Sequence, residues 1–151
     1  MVGRQPGYEI PARVTPADDN GYFEQVTKAV FQAGFSWQVV NDKWPTFRQA
    51  FDGFDVDRVA TYTPEDVDRL LSDPGIVRNG RKIEATIANA VQFQAIRREF
   101  GSFHGYLRSL DRLPYRERQK TLSKRFKNLG RTGVFVLLWC VNEDVPDWEE
   151  R

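Results

Sequence analysis

The turn at residues 73–80 has the residue types of a phosphate-binding element. Two glycines bracket an apolar pair that can dock the turn onto a core, and the turn leads directly into a helical pattern. Backbone N–H groups at a helix start have no intrahelical partner and can bind a phosphate oxygen. Three cations accompany this helix start: Arg78, Arg81 and Lys82.

Helical patterns flank the turn on both sides, over residues 64–71 and 80–100. Helix, short glycine turn and helix together are typical of a helix-hairpin-helix, which binds the DNA backbone without reading sequence. The alternative is ordinary turn chemistry, because glycines commonly flank helix starts. The hairpin pattern alone leaves both interpretations open.

The charge distribution favours a polyanion partner. The net charge of +1 hides a basic segment, since residues 75–131 carry 14 basic and 4 acidic side chains. The segments before and after it are acidic. A basic block of this kind is typical of a nucleic-acid-binding face, although a solvated helical surface has the same composition.

Capping residues, glycine stops and apolar spacing predict a chain of helices. In order, the pattern predicts a helix from about Gly21 to Gly34, a short turn capped by Ser36, a new helix entered at Pro45, and then helices near 56–60, 64–71, 80–100, 102–110, 121–129 and 132–142. Alternating strand patterns are absent from the sequence. We therefore predict an all-α fold.

The 151 residues predict one domain, with an irregular segment at 1–20, a helical domain at 21–145 and a tail at 146–151. One cysteine, Cys140, excludes an internal disulfide framework and indicates a buried thiol in a reducing compartment. No run is apolar enough to span a membrane, and the first residues lack the apolar core of a signal peptide. These features predict a cytoplasmic protein.

Four segments carry a resemblance to a known family. They are FQAGFSWQVV (31–40), FRQAFDGFDVDRVA (47–60), PEDVDRLLSDPGIVRNGRKIEATIANA (64–90) and FKNLGRTGVFVLLWCVN (126–142). In this order and spacing they resemble the 3-methyladenine DNA glycosylase I family, over about residues 22–142. The resemblance implies the helix-hairpin-helix glycosylase fold. It also implies removal of alkylated adenine from double-stranded DNA, the first step of base-excision repair.

The resemblance also assigns a base pocket and a backbone-binding surface. Trp37 matches the family's pocket tryptophan, and Gln32 matches a glutamine that can contact a base edge, although its side chain could instead cap the helix end. The predicted pocket residues are Trp37, Gln32, Tyr22, Trp44 and Tyr8, with a core role the alternative for Trp44. The predicted backbone contacts are Gly75, Val77, Arg78, Asn79, Gly80, Arg81, Lys82, Arg131 and Thr132.

Two departures from the family pattern affect the chemistry. Family members carry a structural zinc held by Cys and His residues, whereas this chain has one Cys and one His, so we predict neither metal nor cofactor. The family also places a pocket Glu three residues before the Gln of QAG-x-SW, and Ala29 occupies that position here. No catalytic residue can be assigned from the sequence.

Three functions follow from these observations. The leading hypothesis is a monomeric, monofunctional glycosylase for alkylated bases, with a specificity altered by Ala29 as one variant of it. The second is a DNA-binding homologue without catalysis, such as a damage sensor. The third is an interaction domain that keeps only the fold, since fold alone does not determine function.

Overall fold

The computed structural model describes residues 10–151, and every regular element in that range is a helix. The predicted all-α fold is confirmed. The α-helices are α1 (Asp19–Gln32), α2 (Trp37–Ala50), α3 (Val56–Ala60), α4 (Pro64–Leu71), α5 (Gly80–Phe100), α6 (Phe103–Ser109), α7 (Tyr115–Arg125) and α8 (Arg131–Cys140). Short 3-10 turns lie at Asp52–Phe54 and Trp148–Glu150. No helix within residues 10–151 is long and apolar enough to cross a membrane.

The helix starts follow the capping residues of the sequence. The Asp18 carboxylate accepts a hydrogen bond from the Gly21 N–H at the start of α1. At the start of α4, Thr63 and Asp66 form a capping box, in which the Thr63 N–H donates to the Asp66 carboxylate at 2.9 Å. These contacts satisfy donors that no helical carbonyl can reach.

The predicted break at Pro45 is wrong, because α2 continues through it. A proline removes one helical hydrogen bond and usually ends or kinks a helix. Here Val40, Trp44 and Phe47 form one buried stripe that spans the proline, and the Trp44 ring stacks on Phe47 at 4.9 Å. Burial of this continuous stripe outweighs the lost hydrogen bond.

The helix predicted at 121–129 is also misplaced, since α7 runs from Tyr115 to Arg125. The chain leaves the helix at Phe126, which is extended, and Asn128 adopts a positive φ of 57°. Phe126 and Leu129 both insert into the core, each 3% exposed. The helix ends at Arg125 because burial of these two side chains requires a non-helical backbone over residues 126–129.

The core is a continuous aromatic cluster beneath α1 and α5. Phe93 on α5 contacts Phe23 on α1, with ring centroids 5.4 Å apart, and stacks on Phe103 at 4.7 Å. α8 packs against α1 on another side and buries most of its apolar residues. α1 therefore lies at the centre of the fold, and its C-terminal end lies next to α2 and α5.

The segment before α1 is fixed to the end of α8 by Arg13. Its Nε donates to the Trp139 carbonyl at 2.8 Å, its guanidinium also bonds the Glu143 carbonyl, and it lies 4.4 Å from the centre of the Trp139 ring. The Val14 N–H donates to the Cys140 carbonyl at 3.0 Å. Residues 10–18 are therefore irregular in backbone but firmly attached.

One buried side chain, Asn89 of α5, holds the loop between α7 and α8. Its amide donates to the Lys127 carbonyl at 3.1 Å and accepts from the Lys127 N–H at 2.7 Å. Asn89 is 1% exposed, so no water can replace these bonds without rearrangement. The clamp fixes the backbone that carries Phe126 and Leu129 into the core.

We expect Asn89→Ala to lower the free energy of unfolding by about 2 kcal/mol, because it leaves two buried backbone groups without partners. Urea denaturation measures the change. The exposed amide Gln49→Ala is the control and is expected to stay within about 0.5 kcal/mol of the parent. Equal effects of the two substitutions would contradict the clamp.

Candidate nucleic-acid interface

The turn between α4 and α5 is docked onto α2. The Lys43 ammonium donates to the Pro74 carbonyl at 3.1 Å, and the Thr46 hydroxyl lies within hydrogen-bonding distance of the Gly75 carbonyl. Inside the turn, the Gly75 N–H donates to the Asp73 carboxylate at 2.7 Å. Ile76 is buried beneath the turn. The hairpin is therefore held in one conformation by contacts on both sides.

The start of α5 has the features that phosphate binding requires. Asn79 caps the helix by accepting from the Lys82 N–H at 3.1 Å. The N–H groups of Gly80 and Arg81 precede the first intrahelical bond and point out of the helix end. The side chains of Arg78 and Arg81 are exposed and form no ion pair with residues 10–151. Val77 lies half-buried beneath them.

Lys82 has a different environment from the two arginines. Its ammonium donates to the Phe31 carbonyl at 3.1 Å and to the Ala33 carbonyl at 2.7 Å, both at the end of α1. Partial burial lowers the pKa of Lys82. A cation at a helix C-terminus also complements the helix dipole. Lys82 therefore joins the hairpin helix to the end of α1.

Gln32 ends α1 and Trp37 begins α2, on either side of the corner between the two helices. The Gln32 amide is 5% exposed and donates weakly to the Asn41 side-chain oxygen at 3.4 Å. Trp37 is half-buried in the first turn of α2, and Asn41 lies one turn further along the same face. The corner thus joins two amides next to the helix turn that carries one indole, about 40 residues before the hairpin in sequence.

Trp44 lies about two turns deeper along α2, in a charged network. Its indole N–H donates to the Glu24 carboxylate at 2.8 Å, and Arg48 pairs with the same carboxylate. The Lys28 ammonium lies 5.4 Å from the centre of the Trp44 ring. Burial lowers the pKa of Lys28, while Cys140 and Glu24 oppose the shift. Trp44 is 7% exposed, which places it in the core wall behind the corner.

Tyr22 lies well away from the corner. It is 2% exposed, packs on Phe103 with ring centroids 4.9 Å apart, and its hydroxyl lies 3.3 Å from His104 Nδ1. The ten residues that separate it from Gln32 correspond to about 15 Å along α1. Tyr22 therefore contributes to the core at the opposite end of the helix. Tyr8 lies outside the described residues.

Arg131 and Thr132, at the start of α8, contact the C-terminal residues. The Arg131 Nε bonds the Arg151 carbonyl, and the Arg151 Nε donates to the Thr132 hydroxyl at 3.1 Å. The Arg151 guanidinium also stacks 4.0 Å from the centre of the Trp148 ring. Both side chains therefore bond Arg151 while they remain exposed, unlike those of Arg78 and Arg81, which form no ion pair within the described residues.

The part of the sequence that builds this geometry matches a known protein family. Residues 13–132 match the family model described as methyladenine glycosylase. The chain belongs to the methyladenine glycosylase family. The match includes α1 to α7, and with them both the corner and the hairpin.

Individual relatives agree with this assignment. The chain is 42% identical over 77 residues to DNA-3-methyladenine glycosylase 1 of Escherichia coli K12. The matched segment covers 51% of this chain and 41% of that protein. It is 31% identical over 90 residues to DNA-3-methyladenine glycosylase of Haemophilus influenzae. That matched segment covers 60% of this chain and 49% of that protein. The chain thus spans less than half the length of these two curated relatives.

Solved structures extend the likeness to most of the fold. A crystal structure of 3-methyladenine DNA glycosylase I superimposes with a TM-score of 0.75 at 32% identity, covering 85% of this chain and 81% of that one. The Staphylococcus aureus 3-methyladenine DNA glycosylase I gives a TM-score of 0.76 at 28% identity, covering 84% and 78%. The family's fold is therefore preserved across both predicted site regions.

The residues of this family member do not fit a structural zinc. The chain contains one Cys and one His. His104 lies beside the Tyr22 hydroxyl, and burial raises the pKa of the Cys140 thiol to about 11, which keeps it protonated. Within residues 10–151, no cluster of three His, Cys, Asp or Glu residues could hold a metal.

Ala29, at the position of the family's glutamate, is buried on α1 with 4% exposure. It lies about one helical turn before Gln32, beneath the corner. The sequence did not identify Asn41 or Lys28, which lie near this corner, or Asn89, which clamps the loop between α7 and α8. Only helical spacing could have indicated Asn41, one turn after Trp37, because the contacts of the other two depend on distant segments.

The two hairpin glycines should respond differently to a methyl group. A Cβ at Gly75 would lie 2.9 Å from Thr46 Cβ, so the hairpin or α2 must shift, whereas a Cβ at Gly80 meets only Leu71 at 3.7 Å. We expect Gly75→Ala to lower the free energy of unfolding by about 1–3 kcal/mol. Gly80→Ala is the matched control, and thermal denaturation compares the two.

Gly80→Ala should keep or raise stability, because alanine favours the helix by up to about 1 kcal/mol. Its methyl group should nevertheless weaken duplex binding, since it crowds the N–H groups that face the phosphate. Full stability of Gly75→Ala would contradict the docked hairpin.

Proposed function

We propose that the protein is a DNA glycosylase that removes alkylated bases of the 3-methyladenine type from double-stranded DNA. The observation that carries the proposal is the Lys82 bridge, which joins the hairpin to the end of α1 where Gln32 lies. A phosphate-binding turn and a base-binding corner at fixed separation are what a base-flipping enzyme requires.

In this proposal the hairpin binds the backbone, and the damaged nucleotide rotates out of the duplex into the corner. Trp37 stacks on the extruded base, and Gln32 offers both a donor and an acceptor to the base edge. Arg78 and Arg81 neutralise phosphates. One copy of the chain acts on one site, without a cofactor.

The reaction breaks the bond between the sugar C1′ and the base nitrogen, whose electron pair leaves with the base, while water adds to C1′ and releases one proton to solvent. A 3-methylated adenine carries a positive charge in the nucleotide and leaves as a neutral base, so its departure needs less assistance than that of an unmodified base. Positioning and the fixed dipoles of the corner supply the catalysis. This proposal accounts for a site in which Ala29 replaces a carboxylate.

Ala29 also favours a second candidate, a DNA-binding homologue without catalysis. In that case the hairpin still binds duplex DNA with strong salt dependence. The corner then recognises damage without releasing the base. The two candidates share every contact of the hairpin and differ only in the product.

The deciding experiment measures free bases released from methylated duplex DNA by mass spectrometry. We expect release of 3-methyladenine by the parent chain. Trp37→Ala should slow release by about 5- to 150-fold, because stacking on one aromatic side chain contributes about 1–3 kcal/mol. Phe100→Ala is the control, since Phe100 has a partly exposed ring at the far end of α5.

Release of a different methylated base would assign a specificity altered by Ala29. Duplex binding without any released base would contradict the glycosylase and support the non-catalytic binder. Absence of both binding and release would contradict the two proposals together.

A further inference from the structure

The cations of the basic segment divide into two groups. One group is neutralised by carboxylates: Arg97 by Asp57, Arg108 by Asp111 and Glu143, Lys120 by Glu117, and Arg125 by Glu99. Lys124 and Lys127 belong to the other group, because they are exposed and form no ion pair within the described chain. Ten of the 14 cations in residues 75–131 form no ion pair within the described chain, and Lys124 and Lys127 differ from the others in lining one shared cavity.

Lys124 and Lys127 line one cavity between the middle of α5 and the end of α7. The cavity has a volume of about 260 Å³ and is lined by Ala88, Gln92, Lys124, Arg125, Phe126 and Lys127. Its lining contains three cations and an amide but no carboxylate. One water occupies about 30 Å³ in the liquid, so the cavity admits a much larger polar group.

The wall that carries the two lysines is rigid. Asn89 bonds both backbone groups of Lys127, and Phe126 is buried at the base of the cavity. The Arg125 guanidinium is held by Glu99 at 2.8 Å and lies 5.6 Å from the centre of the Tyr106 ring. A preformed cationic cavity loses little conformational entropy when an anion binds.

The cavity and the hairpin lie along one face of α5. Arg81 and Ala88 are seven residues apart, which is nearly two full turns and about 10.5 Å of helix. Glu84 lies on the same face, between the two.

We propose that this cavity binds a second backbone phosphate of the DNA whose first phosphate is bound by the hairpin. The proposal rests on the proposed DNA-binding function. Lys124 and Lys127 supply the charge, and the Gln92 amide donates to a phosphate oxygen. Arg125 remains paired with Glu99 and shapes the wall.

The test measures affinity for an undamaged duplex by fluorescence anisotropy over a range of KCl concentrations. Replacing both lysines, Lys124→Gln with Lys127→Gln, should reduce the slope of log affinity against log salt by about 1, the value for one lost phosphate contact. The matched control replaces two paired cations, Arg97→Gln with Lys120→Gln, and changes net charge equally. The control should leave the slope unchanged.

Glu84→Gln gives a second, opposite readout. A carboxylate between two bound phosphates repels the strand, so its removal should raise affinity at least twofold at low salt. A cavity with a purely structural role predicts no such gain. Equal slopes for the two double variants, or an unchanged affinity for Glu84→Gln, would overturn the proposal.

Arg78→Glu separates this proposal from the proposed function. If the parent binds duplex DNA, and Arg78→Glu weakens binding while the lysine variant does not, only the second phosphate site is wrong. If the parent shows no salt-dependent duplex binding, both are wrong. All replaced side chains are exposed, and thermal denaturation of each variant checks that folding is unchanged.

Discussion

The contact between the Lys82 ammonium and the last carbonyls of α1 sets the distance between the hairpin and the corner at Gln32, and the proposed function depends on that distance. A helix C-terminus leaves carbonyl groups without partners, and a cation satisfies them while it complements the dipole. Because Lys82 lies in the first turn of α5, the same contact fixes where the hairpin stands relative to Gln32 and Trp37. Two elements remote in sequence thereby act as one surface.

The surrounding structure holds that contact from three directions. Lys43 and Thr46 of α2 fix the hairpin, the aromatic cluster around Phe93 fixes α5 against α1, and the Asn89 clamp fixes the loop that leads to α8. Cations in ion pairs elsewhere contribute less to an external field, since a neighbouring carboxylate offsets their charge. The unpaired cations near the hairpin and at the end of α7 are what a polyanion would meet.

Local signals in the sequence predicted most of the fold. Caps such as Asp18, Thr63 and Ser102 can be predicted from sequence because a cap depends on residues within one helical turn. The continuation of α2 through Pro45 and the exit of the chain from α7 at Phe126 were not readable, because both follow from burial against distant helices. Local propensity describes what a segment prefers, and tertiary packing decided these two cases.

The candidate site divides in the same way. The hairpin could be predicted because its turn and cations are contiguous, and the pocket roles of Gln32 and Trp37 stay predictions from the family resemblance. The sequence pattern grouped Lys82 with Arg78 and Arg81 as equivalent cations. In the structure, the Lys82 ammonium instead donates to carbonyl groups at the end of α1. It also grouped Tyr22 with the pocket, although the ring lies in the core about three turns away. Charge and aromaticity do not reveal the direction of a side chain.

The most direct test of the central contact compares Lys82→Met with Arg78→Gln in duplex affinity over a range of salt and in single-turnover base release. If Lys82 joins the hairpin to α1, Lys82→Met leaves the salt slope unchanged and slows release at least tenfold. Arg78→Gln then reduces the slope by about 1. A reduced slope for Lys82→Met with unchanged release at saturating enzyme would show that Lys82 binds phosphate, and would contradict the account.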